Sequence, residues 1–254
     1  MPPWADQVEL PDSTQNDAPS EDQGDAKPPE LVAPPARFRD SRRALGNFVR
    51  SGDARYLRRA VGHYVRTGYG GSGTMTRRLG GTAATAGRLN RVLQSGRVSD
   101  GDFLRDLALA SGNDVNVVLD AIVNAASPEN GTQDGESSRR AIRDALSDLL
   151  VRFPEADLLD LTDAQRSFII ERYVALDVYG RFCLDLQKTI MDKAPDPSTA
   201  LRRLRQVREF ISQEVSAAFR IVRENGTSAT TANVASLTAH ALRETLRVFE
   251  EYSE

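Results

Sequence analysis

From Thr162 to about Lys193, apolar residues recur at helical spacing for longer than anywhere else in the chain. Thr162-Asp163-Ala164-Gln165 has the form of a capping box, in which two side chains satisfy backbone N–H groups at a helix start. Beyond it Val174, Val178, Phe182, Leu186 and Ile190 make one ladder, and Ile169, Tyr173, Leu176 and Cys183 make an adjacent one. An apolar arc this wide predicts a central, largely buried helix. Pro195 and Pro197 end it, because proline has no N–H to continue the ladder.

The flanking segments have the pattern of its neighbours. Leu204, Val207, Ile211, Val215, Ala218 and Val222 mark a helix that Asn225-Gly226 stops. Val234, Leu237, Ala241, Thr245, Val248 and Tyr252 share one side of the last helix. Upstream, Ser99 is placed to cap a helix to Ala110, and Asn113 one to Ala126 with Val115, Val118, Leu119 and Ile122 inward. Ser127–Gly135 reads as a polar turn, after which Ile142, Leu146, Leu149 and Phe153 define a helix ended by Pro154. No segment sustains period-two alternation, and no fixed repeat of about 30–45 residues is present. The fold class is all-α: a multi-helix bundle over 98–254 and a basic helical region over 37–97, the two forming one body.

Residues 1–36 differ in kind. Eight of the twelve prolines fall there among Asp, Glu, Ser and Gln, a composition that predicts a disordered acidic tail. Pro2-Pro3-Trp4 puts the only tryptophan on a stiff extended segment, suited to docking in a groove or simply a stray aromatic on a tail.

Between the tail and the bundle lies an arginine–glycine block. Arg37–Arg97 carries fourteen arginines against Asp40 and Asp53. Ser41 is read as the cap of a helix to Arg50, and Asp53 as the cap of one to about Thr67. On the second, Arg55, Arg58, Arg59, His63 and Arg66 fall on one arc, and Leu57, Ala60, Val61 and Tyr64 on the other. A glycine hinge, Gly68 to Gly73, follows. Thr74 is then read as the cap of a helix to about Leu93, with Met75, Leu79, Thr82, Ala86, Leu89 and Leu93 as its apolar stripe. Gly80, Ala83 and Gly87 leave a shallow groove flanked by Arg77, Arg88 and Arg91, which either receives another helix or holds a ligand or partner peptide.

Charge and composition narrow the function classes. The net charge of −3 conceals a basic block between acidic sectors, which marks a contact surface or reflects a coding preference, since thirty arginines accompany only three lysines. No apolar run approaches the roughly 18–20 residues that span a bilayer, and no signal-peptide pattern is visible. With one cysteine, Cys183, these features fit a cytoplasmic protein. Gly68 and Gly73 have phosphate-loop separation, but Thr74-Met75 stands where a lysine and a hydroxyl residue are required. A weaker anion site remains, built from backbone amides of Gly70, Gly71 and Gly73 with Arg66, Arg77 and Arg78 nearby. His63 and His240 have no second metal ligand at helical spacing, and no catalytic constellation is evident, so neither an enzyme, a metal nor a cofactor is expected. The arginine helices interleaved with Tyr56, Tyr64 and Tyr69 also admit a nucleic-acid surface, though no recognised motif accompanies them.

The stretch Ala44–Leu93 resembles QatB, a component of the four-gene Qat anti-phage defence systems. The likeness is carried by ALGNFVRSGD, LRRAVGHYVRTGYGG and TRRLGGTAATAGRL. Pro2-Pro3-Trp4 and the acidic linker also look like that family's N-terminal region; beyond Gly96 the likeness is one of length and helical character, best around Leu161–Cys183. The resemblance implies a non-enzymatic partner protein working beside an ATPase, a QueC-like enzyme and a TatD-like nuclease, closest to the QueC-like component. It further implies that the N-terminal tail is offered to that enzyme while the helical body docks. Family members typically carry a Gly- and Ser/Thr-rich segment ahead of the Pro-Pro-Trp motif, whereas this chain begins at Met1-Pro2: either the start lies further upstream or the tail role does not apply.

Overall fold

The computed structural model describes residues 36–112, 114–224 and 234–253. The expected disorder of the tail, the Asn113 cap and the Asn225-Gly226 stop fall outside that range, apart from Ala36. The described residues form ten α-helices: α1 Arg39–Ser51, α2 Ala54–His63, α3 Ser72–Arg78, α4 Gly80–Ser95, α5 Leu104–Ala110, α6 Val115–Ala126, α7 Gln133–Arg152, α8 Asp163–Lys193, α9 Pro197–Glu224 and α10 Val234–Glu251. A π-helical turn, Tyr64–Gly68, continues α2. Among these residues there is no strand; a lone bridge joins Arg97 to Phe103.

α8 is the axis. Its capping box forms as its sequence demands: the Gln165 N–H donates to the Thr162 hydroxyl at 3.3 Å, and the Thr162 N–H to Gln165 Oε1 at 2.8 Å. Both apolar ladders are buried except at Cys183, which is half-buried. α7 and α9 pack along α8 on two sides, and α1 and α4 on others. Pro197 occupies the first position of α9, where a missing N–H costs nothing. Asp196 caps that helix, and hydrogen bonds from the Ser198 hydroxyl and then Thr199 hold its carboxyl down to about 2. Full burial of side chains such as Tyr173, Phe182, Phe219 and Phe249 contributes about 2 kcal/mol each.

A buried polar set sits where α4 and α7 meet α8. The Thr82 hydroxyl donates to Asp177 Oδ2 at 2.6 Å, and Ser138 and Tyr173 share a hydrogen bond of 2.8 Å. Burial pushes the Asp177 carboxyl up. The pairs fix where α4 and α7 sit along the axis, since a slipped register would strand these groups away from water.

Four sequence expectations change. Ser41 does not cap α1, which starts at Arg39; its buried hydroxyl donates instead to the Ala60 carbonyl of α2 at 2.7 Å. The helix expected from Thr74 to Leu93 is two helices, broken at Leu79, with Gly71 rather than Thr74 at the N-cap. The glycine pair Gly80-Gly81 lets the chain turn there while Leu79 stays buried. α5 begins at Leu104 rather than after Ser99, whose hydroxyl is turned onto Asp102 in the preceding loop. Val115 points outward at the start of α6, 49% exposed, while Val118, Leu119 and Ile122 are buried.

Candidate interaction surface

α2 carries its arginines outward as its periodicity requires. Arg55, Arg58, Arg59 and Arg66 are exposed, and Leu57, Ala60, Val61 and Tyr64 are buried. Asp53 caps the helix by accepting from the Arg55 N–H at 2.9 Å and also takes the Arg55 guanidinium at 2.7 Å. Gly62 faces the C-terminal turn so closely that an added Cβ would lie 2.4 Å from the Ser253 nitrogen. That turn is framed by two arginines: Arg58 stands 5.9 Å from the Tyr252 ring, and Arg66 donates to the Ser253 hydroxyl at 3.2 Å.

The glycine turn reverses the chain through two consecutive left-handed residues, Gly70 (φ 77°) and Gly71 (φ 97°). It brings the start of α3 to α10. The Ser72 N–H donates to Glu250 Oε2 at 3.0 Å, and Glu250 Oε1 lies 3.1 Å from where a Gly71 Cβ would be. Ser72 holds the Glu250 carboxyl below the usual glutamate range, with Arg66 adding to the effect. The anion that this turn holds is therefore a carboxylate of the chain itself. Gly70 and Gly73 remain exposed.

On α3, Arg77 and Arg78 are exposed; Arg77 donates to the Thr74 hydroxyl at 3.1 Å, and Arg78 stands 5.6 Å from the Tyr69 ring. Arg58, Arg59, Arg77 and Arg78 pair with no carboxylate among the described residues. Arg88 is apart from this set. Half-buried, it donates to the Ala126 carbonyl at 2.8 Å and the Thr85 hydroxyl at 2.7 Å, which ties the C-terminus of α6 to α4. It is a structural clamp, favoured there by the negative end of the α6 dipole. The expected groove beside it is divided: Gly80 stands open, whereas an added Cβ at Gly87 would lie 3.0 Å from Ala235 of α10. At Gly87 the small residue serves helix packing. Pro2, Pro3 and Trp4 lie outside the described residues.

Beneath the arginines is an aromatic cluster that no local pattern assembles. Tyr64 stacks on Phe38 at 5.5 Å and meets Tyr69 and Phe182 edge-on at 5.1 and 5.2 Å. The Tyr64 and Tyr69 hydroxyls both donate to Asp185 Oδ2, at 2.9 and 2.7 Å, and Arg37 reaches Oδ1 at 3.5 Å. Burial drives both phenols upward, Tyr64 furthest. Asp185, on α8, is thus the anchor of the basic region. Its signal was a carboxylate inside the α8 arc opposite two tyrosines, but only the fold pairs them. The cluster corrects the proposed stacking role of the tyrosines: Tyr64 is buried, and Tyr56 and Tyr69 are packed against the core, so none stands free to receive a base.

His63 is half-buried with its Nδ1 unpartnered among the described residues, and burial lowers its pKa. No group of three His, Cys, Asp or Glu side chains converges there on a metal site. No helix among the described residues is long and apolar enough to cross a membrane.

What the geometry defines is a helical body carrying an exposed cationic surface. The chain matches the family described as "Qat anti-phage system associated protein QatB" over residues 70–249, most of its length, and belongs to that family. Membership places it in Qat anti-phage defence. No curated protein and no solved structure gives a significant match. The family match runs from α3 into α10; it shares only residues 70–93 with the block on which the sequence resemblance rested and extends through the later helices.

Proposed function

We propose that the chain is a non-enzymatic partner protein of its Qat system. In this reading the arginine surface of α2 and α3 is held by the QueC-like component, and the N-terminal segment bearing Pro2, Pro3 and Trp4 is offered to that enzyme as substrate. The observation that supports it is the set Arg58, Arg59, Arg77 and Arg78, exposed in an acidic chain and left without a described carboxylate. Cations in that state keep their field available to an acidic partner surface. The ATPase and TatD-like components are further partners on this reading.

Co-purification of the full chain with the QueC-like protein tests it. Replacing Arg58, Arg59, Arg77 and Arg78 together by glutamate is expected to weaken the complex by about 100-fold or more, and raising salt to weaken the wild-type complex in the same direction. Intact-mass measurement of the co-expressed chain, begun at its native start, should show an added mass at the N-terminus. A complex indifferent to the four reversals removes the arginine surface from the proposal; an unmodified N-terminus removes the tail role. Salt-sensitive binding to DNA or RNA, lost on the same reversals, would favour a nucleic-acid sensor instead.

A further inference from the structure

Among the described residues, one face of α8 is left open as a cleft beside α7. Leu176, Tyr179, Cys183, Leu184 and Gln187 form the floor of a cleft of about 1010 Å³, walled by the N-terminal half of α7 and by Arg208 of α9. Leu176, Tyr179, Cys183 and Gln187 advance by threes and fours, the spacing with which one helix receives the ridge of another. Met191 extends the row by one turn, and Leu201 stands two turns before Arg208 on the same face of α9. Leu184, Met191 and Leu201 are 49%, 45% and 57% exposed, three of the few large apolar side chains that the described residues leave in water. An aligned row of this kind marks a surface that something covers.

The walls say what sort of helix fits. Arg140 on the α7 wall is exposed, and so is Arg205, one turn before the lining residue Arg208 on α9; neither pairs with a described carboxylate. Arg208 meets Asp148 at 3.2 Å, but its Nε is buried with no hydrogen-bond partner among the described residues. Glu136, on the cleft wall, is engaged by Arg139 at 3.8 Å, which leaves Asp144 as the opposing charge. We propose that this cleft binds an amphipathic helix from another protein of the same Qat system. Its apolar stripe lies on Leu184 and Met191, and its acidic edges face Arg140 and Arg205. The site shares no residue with the arginine surface of α2 and α3. It rests on the partner reading above only in taking its occupant from that system.

The test uses the full chain co-expressed with the other Qat-system proteins. Leu184→Glu with Met191→Glu should weaken the complex by about tenfold or more, with the melting temperature unchanged because both side chains are exposed. Arg140→Glu with Arg205→Glu should give a smaller loss that grows at low salt. Cys183 supplies a second readout, being the only cysteine and part of the floor. Burial pushes its thiol up to about 11, so alkylation by iodoacetamide is followed at alkaline pH by intact mass. The complex should protect it about tenfold relative to the free chain. A complex that is broken by reversing Arg58, Arg59, Arg77 and Arg78, yet ignores Leu184→Glu with Met191→Glu and leaves Cys183 equally reactive, overturns the cleft and preserves the arginine-surface reading. Failure of any complex to form overturns both.

Discussion

The cross-linking arginines of the later helices and the unpaired arginines of α2 and α3 are held in opposite ways. Arg172 reaches Asp148 at 2.6 Å, Arg208 reaches the same carboxylate at 3.2 Å, and Arg143 and Arg181 pair with Asp120 and Asp134. Each of these pairs joins two helices. Arg59 and Arg77, equally exposed to a choice of partners in an acidic chain, meet none among the described carboxylates, while Arg58 and Arg78 lie near tyrosine rings. A coding preference sets how many arginines a chain has; it does not decide which of them meet a carboxylate. The lesson is that one residue type serves as internal cross-link at some positions and as outward-facing charge at others.

The largest effect should come from breaking a cross-link. Asp148→Ala strands two half-buried guanidinium groups and is expected to cost about 2 kcal/mol in urea unfolding, with no change in partner affinity. If it costs no more than a surface substitution, the contrast between the two regions fails.

A smaller effect is expected at Glu250, the point where a late-helix carboxylate does enter the basic region. Its pKa in the folded chain lies below the ordinary glutamate value of 4.5. Its contribution is therefore complete above that value and is lost as pH falls through the depressed one. Glu250→Gln should cost less than about 1 kcal/mol near neutrality, since the group is partly exposed. The difference from wild type should vanish on acidification toward and below the folded pKa, as read by thermal melts across pH. A difference that grows with acid would mean the carboxyl is raised, not lowered.

The smallest change should follow Arg59→Ala with Arg77→Ala. Outward-facing charges without carboxylate partners carry little of the fold, so unfolding free energy should stay within about 0.5 kcal/mol of wild type. A larger loss would reveal internal pairing and erase the distinction.

The fold was legible where local chemistry decides it. The Thr162 box, the breaks at Pro154 and Pro195, and the ladders of α7, α8 and α9 follow from spacing and capping alone. Errors arose where a residue answers to a distant partner: Ser41 to the Ala60 carbonyl, Arg88 to the end of α6, Leu79 to the core at a helix break. The candidate surface divides in the same way. The outward arc of Arg58, Arg59 and Arg66 was readable from helical period, as was the burial of the opposite side. The occupation of the glycine turn by Glu250, and the anchoring of Tyr64 and Tyr69 on Asp185, join residues more than a hundred positions apart. No local pattern encodes those distances.

The seating of the C-terminal turn on Gly62 has a practical consequence. Ser253 lies beside Arg66, and Tyr252 beside Arg58, so a handle attached at Ser253 would sit against the cationic surface itself. An acidic handle there would act as a tethered competitor for whatever that surface meets. Purification handles for binding work belong instead in the exposed Asp100-Gly101 turn between α4 and α5, which contributes no residue to the arginine surface or to the cleft.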